Sequence, residues 1–257
     1  MKTNFAWMKR LVAVFIVSVS LQLANGQTSF LENQKSYPRV AFAIKVKEDT
    51  LRKQFEAARL QWPPKQIYIR SFKYDSQLEV WARNNTKEPY KLFKTYKVCA
   101  LSGGLGPKRM EGDYQVPEGF YYINQFNPKS SYHLSLGLNY PNASDALLSD
   151  SLKPGGEIFI HGTCITVGCI PIQDSQIEEL YVLASYAKNN GQDFIPVHVF
   201  PVRYNNTKSF EYLLKTAKDD LLYQHFVARI KEVYDYFEQY KKLPIISVGK
   251  KGEYVIL

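Results

Sequence analysis

The stretch IFIHGTCITVGCIPI, residues 158–172, sets His161, Cys164 and Cys169 within nine positions behind an apolar run. The whole chain has three cysteines, so placing two of them here calls for a chemical reason. A zinc site, a disulfide and a cysteine nucleophile with its base all use such residues. The spacings of three and five, with His198 as a distant fourth ligand, lack the paired knuckles of structural zinc sites and the second CxxC of a deaminase. No metal and no other cofactor is expected. A Cys164–Cys169 bond would close a tiny loop and constrain little. Free thiols also pack as small hydrophobes, which suits Cys164 in its apolar setting. Cys169 differs, because Gly168 before it allows close backbone approach to a ligand, and a helix is expected shortly after it. Backbone N–H groups at such a turn bind an oxyanion, and positive potential there favours a thiolate. His161, at the end of a strand, is placed to take the thiol proton. On these residues alone, a nucleophile and a packed core thiol remain open alternatives.

Outward from this stretch, apolar and polar residues alternate in QIYIRSFK (66–73), QLEVWAR (77–83) and YKLFKTYKVCAL (90–101), predicting a β-meander. GFYYINQF (119–126), SYHLSLGLNY (131–140), GEIFIH (156–161) and FIPVHVFPV (194–202) read as further strands. Helical spacing appears in EDTLRKQFEAARLQ (48–61), which Pro63-Pro64 stops. It returns after Cys169, where Ser175 and Glu178 resemble a capping box and Ile177, Leu180, Ala184 and Ala187 share a face. Residues 210–240 read as mostly helical, and 245–257 as a closing hairpin. The class is α+β: a β-rich mixed sheet with peripheral helices.

The chain begins with Lys2, Lys9 and Arg10, then an apolar run from Leu11 to Ala24 that is too short for a comfortable membrane span. Ala24-Asn25-Gly26 offers a small-x-small cleavage site, so residues 1–26 read as a secretory signal and the protein as exported, with an uncleaved anchor as the alternative. Without the signal's three cations the formal net charge falls from +9 to +6, which suits weak attraction to an anionic envelope polymer. No aromatic-basic motif accompanies it, which argues against nucleic acid. The expected organisation is a helical segment over 27–65, a catalytic domain over 66–203, and helices with a hairpin over 204–257.

From about Gln66 to Pro201 the chain resembles the L,D-transpeptidase catalytic domain of the YkuD type, and more narrowly its YafK-like branch. The resemblance rests on LFKTYKVCALSGGLGPKRMEGDYQVPEGFYYI, NPKSSYHLSLGLNYPNASD, IFIHGTCITVGCIPI, IEELY and PVHVFPVR. It implies that Cys169 is the nucleophile, that His161 is the general base, and that Gly168 and the Cys169 amide lie at the oxyanion site. It further implies a thioester with a diaminopimelate-containing stem peptide of peptidoglycan in the periplasm, resolved by an amine or by water. The reaction would then be transfer, or amidase or carboxypeptidase hydrolysis, the latter reaching a wall-linked envelope protein. A non-catalytic envelope-binding module is the reading from another class. Two positions depart from the common motif: Val167 replaces a second histidine, and Pro171 replaces an arginine that would grip a carboxylate.

The YHLS stretch puts His133 and Ser135 on or beside one strand, and likeness to the family cleft makes both candidate substrate contacts. Ser102 to Gly112 reads as a flap whose Lys108 and Arg109 are available to acidic stem peptides, with a plainly solvated loop as the alternative. GGLGPK (103–108) is not a phosphate loop, since the Gly-Lys-Ser/Thr ending is missing. His198 reads as structural and His225 as solvent-facing.

Overall fold

The computed structural model describes residues 29–257; the expected signal at 1–26 lies outside them. Two helices come first, α1 (Phe30–Lys35) and α2 (Pro38–Ala57). The second begins ten residues before the expected start, because Pro38 occupies its first turn, where a missing N–H costs nothing. Val40, Ala43, Ile44, Leu51 and Phe55 form its buried stripe, in the same core as the sheet residues Ile67 and Ile69.

Strands β1 (Gln66–Phe72), β2 (Gln77–Arg83) and β3 (Lys91–Lys97) form the expected antiparallel meander. β4 (Gly119–Asn127) and β5 (Ser135–Leu138) follow, then helix α3 (Ala143–Leu148), β6 (Phe159–His161) and the two-residue β7 (Ile170–Pro171). Helix α4 (Asp174–Asn189) leads to β8 (Pro196–Phe200), which inserts parallel to β1 and antiparallel to β4. The sheet order is therefore β3-β2-β1-β8-β4-β5-β6-β7. A strand in that central place is covered on both faces, which explains the nearly continuous apolar run VHVF. His198 within it is buried against the Tyr68 hydroxyl at 3.0 Å, a structural role as expected.

The two outermost strands do not stay apart. Val98, just past β3, bridges Ile172, just past β7, and the Cys99 N–H donates to the Pro171 carbonyl at 3.0 Å. The sheet thus curls until its edges meet at a seam beside residues 161–172. Proline is tolerated in β7 because its place at this edge asks for no ladder donor.

The face of α4 expected to be buried is buried: Ile177, Leu180, Ala184 and Ala187 are fully covered. The expected Ser175–Glu178 capping box does not form. Ser175 lies inside the helix, whose N-cap is Gln173 with no side-chain cap, and both residues turn instead to Lys47 of α2. Helices α5 (Thr207–Ala217) and α6 (Leu221–Tyr240) and the hairpin β9 (Ile246–Val248) and β10 (Tyr254–Ile256) complete the chain. His225 is exposed on α6, as expected. The architecture is α+β, and among the described residues no helix is long and apolar enough to cross a membrane.

Candidate active site

β6 and β7 run parallel, pairing Ile160 with Ile170 and His161 with Pro171. Cys169 therefore stands one residue before β7, beside Phe159. The Phe159 N–H, which a regular ladder would give to a carbonyl, donates to Cys169 Sγ at 3.4 Å. The thiol in turn donates to the Glu157 carbonyl at 3.5 Å. His161 lies two residues beyond Phe159 on the same strand, and residues two apart share a face. Ile160 and Ile170 fill the core on the other face. Cys169 is thus hydrogen-bonded to the strand that carries His161, two residues before it, and among the described residues no hydrogen bond joins the thiol to the imidazole.

The His161 ring is anchored through one nitrogen. The His161 Nδ1–H donates to the Gly162 carbonyl, which leaves Nε2 as the lone-pair nitrogen. Its ring lies 4.8 Å from the Tyr132 ring, tilted by 31°. Burial pushes the imidazole pKa down, and the hydrogen bond to Gly162 opposes this only in part. Burial pushes the Cys169 thiol up; the Phe159 N–H and Lys108 pull it down, while Glu157 adds to the rise. Both shifts favour a neutral thiol and a neutral imidazole at rest.

Gly162 is required by space. A Cβ there would meet Asp174 Oδ1 at 2.5 Å, His133 Cβ at 3.0 Å and the Tyr132 carbonyl at 3.0 Å. Asp174, the first residue of α4, also accepts the Thr163 N–H at 2.7 Å and so fixes the turn after the histidine. Gly162→Ala is expected to cost about 1–3 kcal/mol through overpacking and to slow Cys169 acylation. Thermal melting and single-turnover mass spectrometry of the variant check both.

Gly168 has φ +140°, a region costly for any other residue, and a Cβ would approach the Gln115 carbonyl at 3.1 Å. Its N–H is already given to Thr166 Oγ1 at 3.0 Å. Of the two amides expected at the oxyanion site, only that of Cys169 meets no acceptor among the described residues.

Several expectations are corrected. Cys164 is neither a core thiol nor a partner of Cys169: it is exposed and bonded to Cys99, leaving Cys169 free. That bond staples the turn between His161 and Cys169 to the end of β3, across the seam, and takes one sulfur from any zinc site. It closes 65 positions, and loop entropy assigns it about 4 kcal/mol. The Cys99→Ser, Cys164→Ser double variant is expected to lose stability on that order in denaturant unfolding.

His133 lies beside β5 rather than on it, the second of the two expected placements. It sits in a turn with φ +69°, and its Nε2 meets Glu178 Oε1 at 2.9 Å. Ser135 is buried in β5 directly opposite His161. The two flap cations are engaged as well. Lys108 is buried and paired with Asp113 at 2.5 Å, and Arg109 pairs with Asp145 at 3.1 Å, a carboxyl that burial pushes up to about 6. Neither extends freely into solvent. Lys108 instead lies close enough to Cys169 to favour its thiolate. Tyr132, Asp174 and Cys99 carry parts of the site that the sequence reading did not assign. Only Asp174 had a local signal, an acid at the start of an expected helix.

The model of the family described as YkuD, L,D-transpeptidase catalytic domain, matches residues 68–199. Proteins named "Putative L,D-transpeptidase YafK" from Escherichia coli K12 and O157:H7 are each 34% identical over 192 residues, 74% of this chain and 73% of theirs. Among solved structures, the helical cell shape determining protein Pgp2 of Campylobacter jejuni (K307A mutant) is 22% identical with TM-score 0.43, covering 70% of this chain and 62% of that one. The chain thus spans less than two thirds of that structure, and the likeness is too loose to bear on mechanism.

Proposed function

Because the chain belongs to the L,D-transpeptidase (YkuD) family, we propose that it is an exported cysteine peptidyl-transferase acting on diaminopimelate-containing stem peptides of peptidoglycan. The observation that carries this reading is that the one free thiol is hydrogen-bonded to Phe159 of β6, the strand that bears the tautomer-fixed imidazole of His161 two residues on.

His161 Nε2 takes the proton of Cys169 as Sγ attacks a backbone carbonyl of the stem peptide. The Cys169 N–H donates to the oxyanion that forms. As the tetrahedral centre collapses, the imidazolium returns its proton to the departing amine, the C–N bond breaks, and a thioester remains. An acceptor amine then enters, loses a proton to His161, forms the new amide and releases the thiol. Ser135, opposite His161, and the flap around Lys108 and Arg109 border the substrate, with Lys108 and Arg109 acting from within their ion pairs.

Pro171 favours a second reading. No guanidinium stands where the common motif has one, so an acceptor carboxylate has lost its expected grip, and water can resolve the thioester instead. The activity would then be that of an amidase or carboxypeptidase, with a wall-linked envelope protein among its substrates. Incubation of the purified protein with disaccharide tetrapeptides decides: crosslinked dimers support transfer, and shortened stems support hydrolysis. Failure to form any Cys169 thioester would overturn both and leave a non-catalytic binding module.

A further inference from the structure

The turn 130–133 sits against the catalytic face and is held from outside the family-matched region. Arg39, in the first turn of α2, donates through Nη1 to the Ser130 carbonyl at 2.7 Å and to the His133 carbonyl. A second hold comes from the same helix: Lys47 pairs with Glu178 Oε2 at 3.3 Å, while Glu178 Oε1 meets His133 Nε2. Tyr37, just before α2, also lies under Lys129 at 5.6 Å. Within the turn, Ser130 Oγ accepts the Tyr132 N–H at 3.0 Å.

What these contacts fix is a conformation that His133 would not hold alone. Left-handed backbone at a non-glycine residue costs about 1 kcal/mol or more and persists only where its surroundings over-determine it. The result is that the Tyr132 carbonyl and His133 Cβ wall in Gly162, and the Tyr132 ring lies along the imidazole of His161. An aromatic ring in that place also steadies the imidazolium formed when the base takes a proton.

We propose that Arg39 is a positioning residue for the general base, acting through the 130–133 turn and the Tyr132 ring. The proposal rests on the reading of His161 as that base. It makes α2 part of the catalytic apparatus although the matched family domain starts only at residue 68. Arg39 touches no reacting atom; it sets where the imidazole rests.

Arg39→Met in the full chain keeps the aliphatic stem and removes the donors. With stem peptides, kcat is expected to fall about tenfold with KM within twofold, as misplaced catalytic groups do. Arg39→Lys, which can still donate to a carbonyl, is expected to recover most of the loss. Tyr132→Leu should reproduce the loss, and the double variant should lose no more than either single one, because both lie on one relay. Additive losses, or kcat unchanged in Arg39→Met, would overturn the proposal.

A readout independent of turnover separates this proposal from the functional one. The ring signals of His161 in nuclear magnetic resonance spectra are expected to shift in Arg39→Met and return in Arg39→Lys. If the wild type turns over no stem peptide, the functional reading fails, yet a shifted ring signal still supports the relay and an unmoved one refutes it. If Arg39→Met does not fold, Arg39→Gln, too short to bridge the Ser130 and His133 carbonyls, is read on the same criterion.

Discussion

Cys169→Ala is expected to give no covalent adduct in intact mass spectrometry with muropeptides or a carbapenem, and to lower kcat/KM by about 10⁴-fold or more. The size of the effect follows from the sulfur inventory. Cys99 and Cys164 are bonded to each other, so alanine removes the one thiol able to form a thioester. Nothing in the variant's packing should obscure the result, because the lost Sγ contacts are two weak backbone hydrogen bonds at a half-buried position. An adduct that persisted in Cys169→Ala would refute the nucleophile assignment. His161→Gln should differ in kind: it keeps the thiol and acylates slowly, with a rate that climbs as the solution becomes alkaline.

The second large effect is on thiol reactivity against pH. Burial raises the Cys169 pKa above the ordinary thiol value near 9 and lowers that of His161 below 6.5, so a preformed thiolate–imidazolium pair is disfavoured. A thiol with such a pKa holds only about 1% or less as thiolate at neutral pH. Alkylation of Cys169 by iodoacetamide is therefore expected to accelerate about 100-fold between pH 7 and pH 9, following the thiolate fraction. A rate that levels off from pH 5 upward would show a preformed ion pair instead. Turnover should behave differently, since it needs the neutral base: kcat/KM rises through an acid limb centred below 6.5 and then levels. A limb centred above that value would contradict the direction assigned to His161.

Much of this was legible in the sequence because it is local. The period-two runs of β1, β2 and β4 and the apolar stripe of α4 belong to single elements, and the structure has them at those places. The short motif around His161 and Cys169 was visible for the same reason, and the family likeness it carried is met by the match over residues 68–199. What failed was non-local. Cys164 finds its partner 65 positions away because the curled sheet brings β3 to β7, which no spacing rule encodes. Ser175 and Glu178 have capping-box spacing, but Lys47 from another helix competes for both side chains. Lys108 and Arg109 look like free cations in a Gly-rich loop; their acids, Asp113 and Asp145, come from the loop's own return and from a distant helix. Tyr132 has no sequence signal at all, since its meaning depends on which ring it faces.

The seam between β3 and β7 has a further consequence under changing redox conditions. Its fastening sulfurs flank the segment that bears the nucleophile, and one of them is open to solvent. A chain kept among reducing thiols would carry an unfastened turn ahead of Cys169 until an oxidant formed the bond. The redox poise around the chain would then set whether that turn is fastened, and a reductant would loosen it without touching Cys169 itself.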